Sequence, residues 1–254
     1  MALYEVSQTS SRIDLIELQT LKTLHRVGEN VELGRILSFH YSMLNSVLAC
    51  SEYHGTVLKF HDVDKDLKDL SSMTVVESVE TNNYSPLVEH SARNLLFQGG
   101  IEEVAIIELE SKQVIGRVLL QGIVKALRTS PDAASLHIMS KDYDSQAKKF
   151  NNYFYKLHFT RSDYRCVSTE VETVGQVTAM CLDVTNADTM IIAHCDGFKV
   201  SYMDTSQPLE SVDEGHKICL LTQSPADQLL TESSGVYIFI LDKEDQLWRV
   251  DRQT

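Results

Sequence analysis

The feature that most constrains the fold of this chain is a turn that recurs about every 45 residues, each time between two short apolar runs. The turn centres are separated by 45, 45, 43, 54 and 46 residues and fall at Ser10, Gly55, Gly100, Tyr143, Gly197 and Lys243. A period of this length indicates one supersecondary unit that is repeated along the chain. The runs are rich in β-branched and aromatic residues and lack a 3.6-residue stripe, so the repeated unit is predicted to consist of strands.

Each copy of the repeat has the pattern of a β-hairpin, in which an apolar run, a polar or glycine turn and a second apolar run follow one another. The four clearest copies cover residues 47–60, 94–109, 190–202 and 236–250, and two weaker ones cover 3–18 and 136–159. In the fourth copy a polar loop is predicted from Lys141 to Asn152, and its extra length explains the interval of 54 residues. The near-continuous apolar runs are typical of strands that are buried on both faces.

About 30 residues separate one hairpin from the next, which leaves room for two further strands such as Val75–Val79 and Leu87–Val88. Four strands in each repeat are typical of a β-propeller blade. We therefore predict one all-β domain over residues 1–254, a β-propeller of about six four-stranded blades. The predicted blades cover roughly residues 1–28, 33–78, 79–120, 121–170, 171–222 and 223–254.

Two hairpins resemble a WD40 repeat. The stretch from Ile192 to Asp204 is similar to the family's small-residue strand, Asp-Gly turn and second strand ending in aromatic-x-Asp, and the stretch from Ala49 to Asp62 resembles it again. The chain departs from the family pattern because it has no Trp-Asp pair, since Trp248 is followed by Arg249. The resemblance implies a divergent, WD40-like propeller.

The first repeat begins at its second strand and the last repeat stops at its third. One hypothesis is that the ring is open at the termini and that a partner protein donates a strand, as in the coat and nuclear-pore scaffold propellers that the resemblance suggests. The alternatives are a misread register, a degenerate outer strand, or a sequence shorter than the natural protein.

Composition argues against several classes of partner. With 36 acidic against 23 basic residues the formal charge is −13, which disfavours binding to nucleic acid or anionic lipid. No run approaches the roughly 18 apolar residues of a membrane span, and the first residues lack the pattern of a secretory signal. The five cysteines are odd in number and widely spaced, which indicates reduced thiols and a cytoplasmic or nuclear location.

The chain carries no strong motif for catalysis or metal binding. The aspartates from Asp62 to Asp69 begin like a calcium loop, but Leu67 and Met73 occupy the positions that require glycine and glutamate. In His194-Cys195-Asp196, consecutive strand residues point to opposite faces and cannot converge on one ligand. We therefore assign no catalytic, cofactor-binding or metal-binding residue and predict no cofactor.

Partner-binding candidates lie at the fourth hairpin, where aromatic and cationic side chains of the kind that anchor interfaces are concentrated. They are Lys148, Lys149, Phe150, Tyr153 and Tyr155. Strand alternation predicts that half of the aromatic side chains there face inward.

The predicted function is a non-catalytic protein-interaction scaffold within an intracellular complex, because propellers present loop-rich faces that suit docking of other proteins. The alternative is a small hydrolase, since the resemblance includes propellers of the diphthine methylesterase type. Convergence of histidine and serine or cysteine side chains would favour the hydrolase.

Overall fold

The computed structural model describes residues 2–7, 10–17, 22–53, 55–81, 85–130, 133–146, 149–159, 164–170, 177–182, 189–194, 199–204, 218–219, 226–231, 237–242, 244 and 247–251. These residues contain 22 β-strands and one 3₁₀ turn at Ser91–Arg93. The described residues contain no α-helix, so the all-β prediction is confirmed. The strand pairs whose register is defined are all antiparallel. Among the described residues no helix is long and apolar enough to cross a membrane.

The chain divides into two compact units, residues 1–120 and residues 121–254. The first unit begins with a sheet in which β2 lies between β1 and β3, and a short strand β4 also pairs with β2. These strands are β1 (Ala2–Ser7), β2 (Ser10–Ile16), β3 (Thr23–Arg26) and β4 (Leu33–Gly34). The next sheet follows chain order and consists of β5 (Ile36–Ser42), β6 (Val47–Glu52), β7 (Val57–Val63) and β8 (Leu70–Glu77).

The remaining strands of the first unit are again neighbours in chain order. They are β9 (Leu87–His90), β10 (Leu95–Gly99), β11 (Ile101–Glu108) and the first part of β12 (Gln113–Thr129). The boundary between the two units falls within β12, at residue 121.

In the second unit, the later part of β12 pairs with β13, and β13, β14 and β15 follow in chain order. Two further sheets, of four and three strands, also keep chain order. The strands are β13 (Ser135–Asp144), β14 (Lys149–Phe159), β15 (Tyr164–Glu170), β16 (Val177–Leu182), β17 (Thr189–His194), β18 (Lys199–Asp204), β19 (Ile218–Cys219), β20 (Ala226–Thr231), β21 (Tyr237–Asp242) and β22 (Leu247–Asp251).

The central strand β6 is buried on both faces, as its apolar run predicted. Val47 and Ala49 pack with Leu58 and Phe60 in one core cluster. Their neighbours Leu48 and Cys50 point to the opposite face and pack in a second cluster with Ile13 and Leu33. Because successive strand residues alternate between faces, a run without polar interruption fits a strand that is covered on both sides.

The second unit has a core of its own around β16, β17, β20 and β21. Its members are Cys181, Ile191, Ala193, Leu229, Ile238 and Ile240, each at most 2% exposed. Each unit therefore buries apolar side chains from several sheets.

Candidate interaction surface

The fourth hairpin differs from its prediction. Lys141 pairs with Asn152 and Asp144 pairs with Lys149 in the ladder between β13 and β14, so the predicted loop from Lys141 to Asn152 is wrong. Tyr143, predicted as the turn centre, is a strand residue opposite Phe150. The polar residues here extend the ladder because backbone pairing needs no apolar side chain.

Two predicted partner-binding residues of this hairpin are buried. Tyr153 and Tyr155 are each 9% exposed, and their ring centroids lie 6.5 Å apart. The Tyr155 hydroxyl accepts a hydrogen bond of 2.9 Å from the backbone N–H of Gln121. Phe154, between them, is 2% exposed, so both faces of β14 are covered and the expected half-inward arrangement is not found.

For two of the other predicted partner-binding residues the structure gives a position in a strand. Lys149 and Phe150 belong to β14, at register positions opposite Asp144 and Tyr143. Lys148 lies outside the described residues. Tyr143 itself is 51% exposed and is the accessible aromatic side chain that this hairpin presents in the described part of the chain.

The turn between β5 and β6 presents a different apolar surface, which sequence analysis missed. Met43 is 82% exposed and Leu44 is 71% exposed; we call these two residues the Met43–Leu44 tip. The sequence feature that could have revealed this surface is the presence of two adjacent large apolar residues in a hairpin turn. Turns usually carry Gly, Asn, Asp, Pro or Ser.

The tip is held by hydrogen bonds on its C-terminal side. Asn45 Nδ2 donates to Ser42 Oγ at 2.9 Å and to Asn94 Oδ1 at 2.7 Å. The backbone N–H of Val63 donates to the carbonyl of Ser46 at 2.9 Å. These bonds join the turn to the end of β7 and to the connection before β10, so its backbone conformation is fixed by more than its own four residues.

The turn between β11 and β12 contacts the same part of the first unit. Lys112 Nζ lies 2.8 Å from Asp62 Oδ1, and the backbone N–H of Leu109 donates to the carbonyl of Asn94 at 3.0 Å. Hydrogen bonds and an ion pair therefore connect the Met43–Leu44 tip and the turns around it. A preorganised apolar group loses little conformational entropy on binding, which favours its use as an interface anchor.

One serine–histidine pair with catalytic potential is buried. The Ser135 hydroxyl lies 3.3 Å from Nε2 of His137, but these residues are only 3% and 1% exposed. A nucleophile and base in this position have no access to a substrate from solvent, so the pair fits a structural role better than a hydrolytic one.

The described thiols are also inert in character. Cys50 and Cys181 are both buried. Burial, reinforced by the negative charge of Glu52, raises the pKa of Cys50 to about 12. A thiol with that pKa is almost wholly protonated at neutral pH and is a poor nucleophile.

No group of three or more His, Cys, Asp or Glu side chains that could hold a metal occurs in the described part of the chain. Asp64 Oδ1 instead accepts backbone hydrogen bonds from Lys68 at 2.8 Å and Asp69 at 3.1 Å, which closes the loop between β7 and β8. His194 ends β17, and Cys195 and Asp196 lie outside the described residues.

The strand arrangement defines an all-β protein of sequential antiparallel sheets, and comparison with known proteins supports this class. The sequence matches no family model. No curated protein matches it. By structure, 907 solved chains match. One is Kuenenia stuttgartiensis hydrazine synthase, which is 9% identical in sequence, with a TM-score of 0.70 over 95% of this chain and 77% of that chain. At this identity the likeness concerns the fold alone.

Proposed function

We propose that the chain is a β-propeller of about six blades that acts as a protein-interaction scaffold. Among the described residues, four of the five sheets have three or four antiparallel strands, and in three of these four the strands follow chain order, which supports the propeller. The buried thiol of Cys50, which forms no disulfide bond, supports an intracellular location.

The observation that carries the scaffold proposal is the exposed, braced Met43–Leu44 tip. Isolated exposed apolar residues are ordinary on protein surfaces, but contiguous apolar residues in a fixed conformation are typical of docking sites. The expected partner is a protein with an apolar pocket that receives both side chains, because methionine and leucine offer no directional hydrogen bond.

The test compares two double variants of the tagged chain in affinity purification from its native extract. Met43→Ser/Leu44→Ser removes the tip, and the control Leu24→Ser/Leu119→Ser removes apolar side chains that are 57% and 80% exposed elsewhere in the first unit. A partner at near-equal amount should be retained by the control and lost by the tip variant. Retention of every partner by the tip variant would refute the proposed docking site.

A partner that completes the ring remains part of the proposal. The last sheet has three strands in the described residues, β20, β21 and β22, and an edge strand of a sheet readily accepts a further strand from another chain. Hydrogen exchange of the β20 and β22 amides with and without the purified partner tests this. Protection of one edge is expected, and unchanged exchange in both strands would contradict it.

A further inference from the structure

The first sheet contains a cleft of about 390 Å³. It lies where β3 stops pairing with β2 and β4 begins to pair with it. β3 ends with Arg26 opposite Asp14, and β4 begins with Leu33 opposite Ser11. Residues 27–32 are not part of a strand, although the N–H of Val27 still donates to the carbonyl of Ile13 at 2.8 Å. The cleft lies between this segment and β2. Pockets of this volume accept small organic ligands.

The wall formed by residues 27–32 is fixed in place. Asn30 Nδ2 donates to the carbonyl of Leu70 at 3.0 Å, and Asn30 Oδ1 accepts from the N–H of Leu70 at 3.0 Å. The N–H of Glu29 donates to the carbonyl of Lys68 at 2.8 Å. Since the loop between β7 and β8 holds this wall, the cleft does not depend on a ligand for its shape.

Arg12 and Arg26 line the cleft, and the buried carboxylate of Asp14 lies next to Arg12 and opposite Arg26 in the ladder. Arg12 Nη2 lies 3.0 Å from Asp14 Oδ2, whose side chain is 5% exposed. Arg26 is the cross-strand neighbour of Asp14 on β3, which places it on the same face of the sheet. The three groups carry a net charge of +1, so one guanidinium charge is not neutralised by Asp14.

Arg26 has an unused donor in this position. Its Nε is buried and has no hydrogen-bond partner among the described residues. Leaving a buried charged donor without an acceptor is costly, and such groups are normally satisfied by a partner, a water or a ligand. An oxygen atom of a ligand in the cleft would accept a hydrogen bond from this Nε–H group of Arg26.

We infer that the cleft is a binding site for a small organic oxyanion, a carboxylate or a phosphate, held between Arg12 and Arg26. The guanidinium fork matches both groups geometrically. Glu29 and Glu32, which also line the cleft, are exposed to solvent, where their repulsion is screened. They favour a ligand of low charge over a polyanion.

The test is a titration of the ¹⁵N-labelled chain at constant ionic strength, followed by the arginine Nε–Hε resonances. Arg26→Lys assigns the Arg26 resonance, because lysine keeps the charge but lacks this group. Inorganic phosphate and glutarate are the two probes. A saturable shift of the Arg26 resonance with one of them supports the site and identifies its chemistry, and a shift with both assigns it to oxyanions in general.

Three variants show whether the binding measured in this titration takes place in the cleft. Arg26→Lys should weaken binding by about tenfold, since the directional donor is lost, and Glu29→Gln should tighten it by removing a nearby negative charge. Arg117→Lys serves as the matched control, because Arg117 pairs with Glu103 at 2.7 Å outside the cleft. Absence of saturation with both probes, or equal weakening by Arg117→Lys, would overturn the inference. Neither result depends on a protein partner, so the scaffold proposal is tested separately.

Discussion

At the scale of single residues, His61 links stability to pH. It is buried on β7, and burial, followed by the positive charge of Lys59, lowers its pKa from the ordinary value of 6.5. Between 6.5 and this lower pKa the unfolded chain binds a proton that the folded chain does not, so stability falls as pH falls through this window.

We expect the free energy of unfolding to decline between pH 7 and pH 5, and His61→Gln to reduce that decline. The contribution of one histidine is at most about 1.4 kcal/mol per pH unit. Urea titrations of both proteins across this range measure it. The prediction fails if the two proteins lose stability in parallel, because the other histidines would then account for the effect.

Residue types alone identified which aromatic side chains were suitable for an interface, but not which were exposed. Tyr153 and Tyr155 have the composition of interface anchors and are buried, whereas Met43 and Leu44 have the composition of a core and are exposed. Exposure depends on which neighbouring strands cover a position, and this information is not local in the sequence.

At the scale of elements, Gly122 is required by the backbone of β12. Its φ is +75°, and a Cβ atom there would lie 2.7 Å from the carbonyl carbon and oxygen of Lys141. Both the left-handed conformation and the contact with backbone oppose any side chain.

Gly122→Ala should therefore lower the free energy of unfolding by more than about 1 kcal/mol. The matched control is Gly116→Ala on the same strand, where the nearest atom to a new Cβ would be Ile106 Cδ1 at an ordinary 3.5 Å. Thermal or urea unfolding of the two variants compares them directly, and equal losses would show that strain at Gly122 is not the cause.

We expect that the end of the fourth hairpin can be shortened without loss of the fold. Removing residues 144–151 takes away the pairs from Asp142 to Asp144 but leaves Lys141 opposite Asn152. The remaining connection is Asp142-Tyr143, and replacing it with Asn-Gly provides a two-residue hairpin turn.

This deletion variant should be soluble and folded, with a loss of about 1–3 kcal/mol from three cross-strand pairs. Circular dichroism and urea unfolding measure the result. Aggregation of the variant, with the full-length chain soluble under the same conditions, would show that the outer hairpin is needed for folding.

The elements that sequence predicted best are those whose strands are apolar. β6 and β7, or β17 and β18, follow the predicted hairpins closely because β-branched and aromatic runs mark both strands. The pairing of the outer parts of β13 and β14 was not predicted, because Lys141, Asp142 and Asn152 are not residue types that indicate a strand, although their backbones pair.

At the scale of the whole molecule, the period of about 45 residues and its strand-like runs predicted the all-β fold, although only two hairpins resemble a family motif. Spacing survives sequence divergence because each repeat must still bury the same strands against its neighbours. The oxyanion cleft could not be predicted in this way. It depends on Arg12 of β2 and Arg26 of β3 lining the same cleft, and on the hydrogen bond from Asn30 to Leu70, which is 40 residues further along the chain.

The sequence predicts one domain, and this leads to a prediction about unfolding. Trp248, the single tryptophan, reports on the second unit through its fluorescence. Cys50, buried in the first unit with a pKa of about 12, is protected from thiol reagents until that unit opens. A propeller that folds as one domain should lose both signals together.

We expect the urea midpoint from Trp248 fluorescence to coincide with the midpoint from pulsed alkylation of Cys50, mapped by mass spectrometry because the chain has four other cysteines. Alkylation in full denaturant gives the upper limit for Cys50. Labelling of Cys50 at urea concentrations where Trp248 still has its native spectrum would mean that the two units unfold separately. The one-domain prediction would then be wrong, while the all-β fold of each unit would stand, because each buries a core of its own.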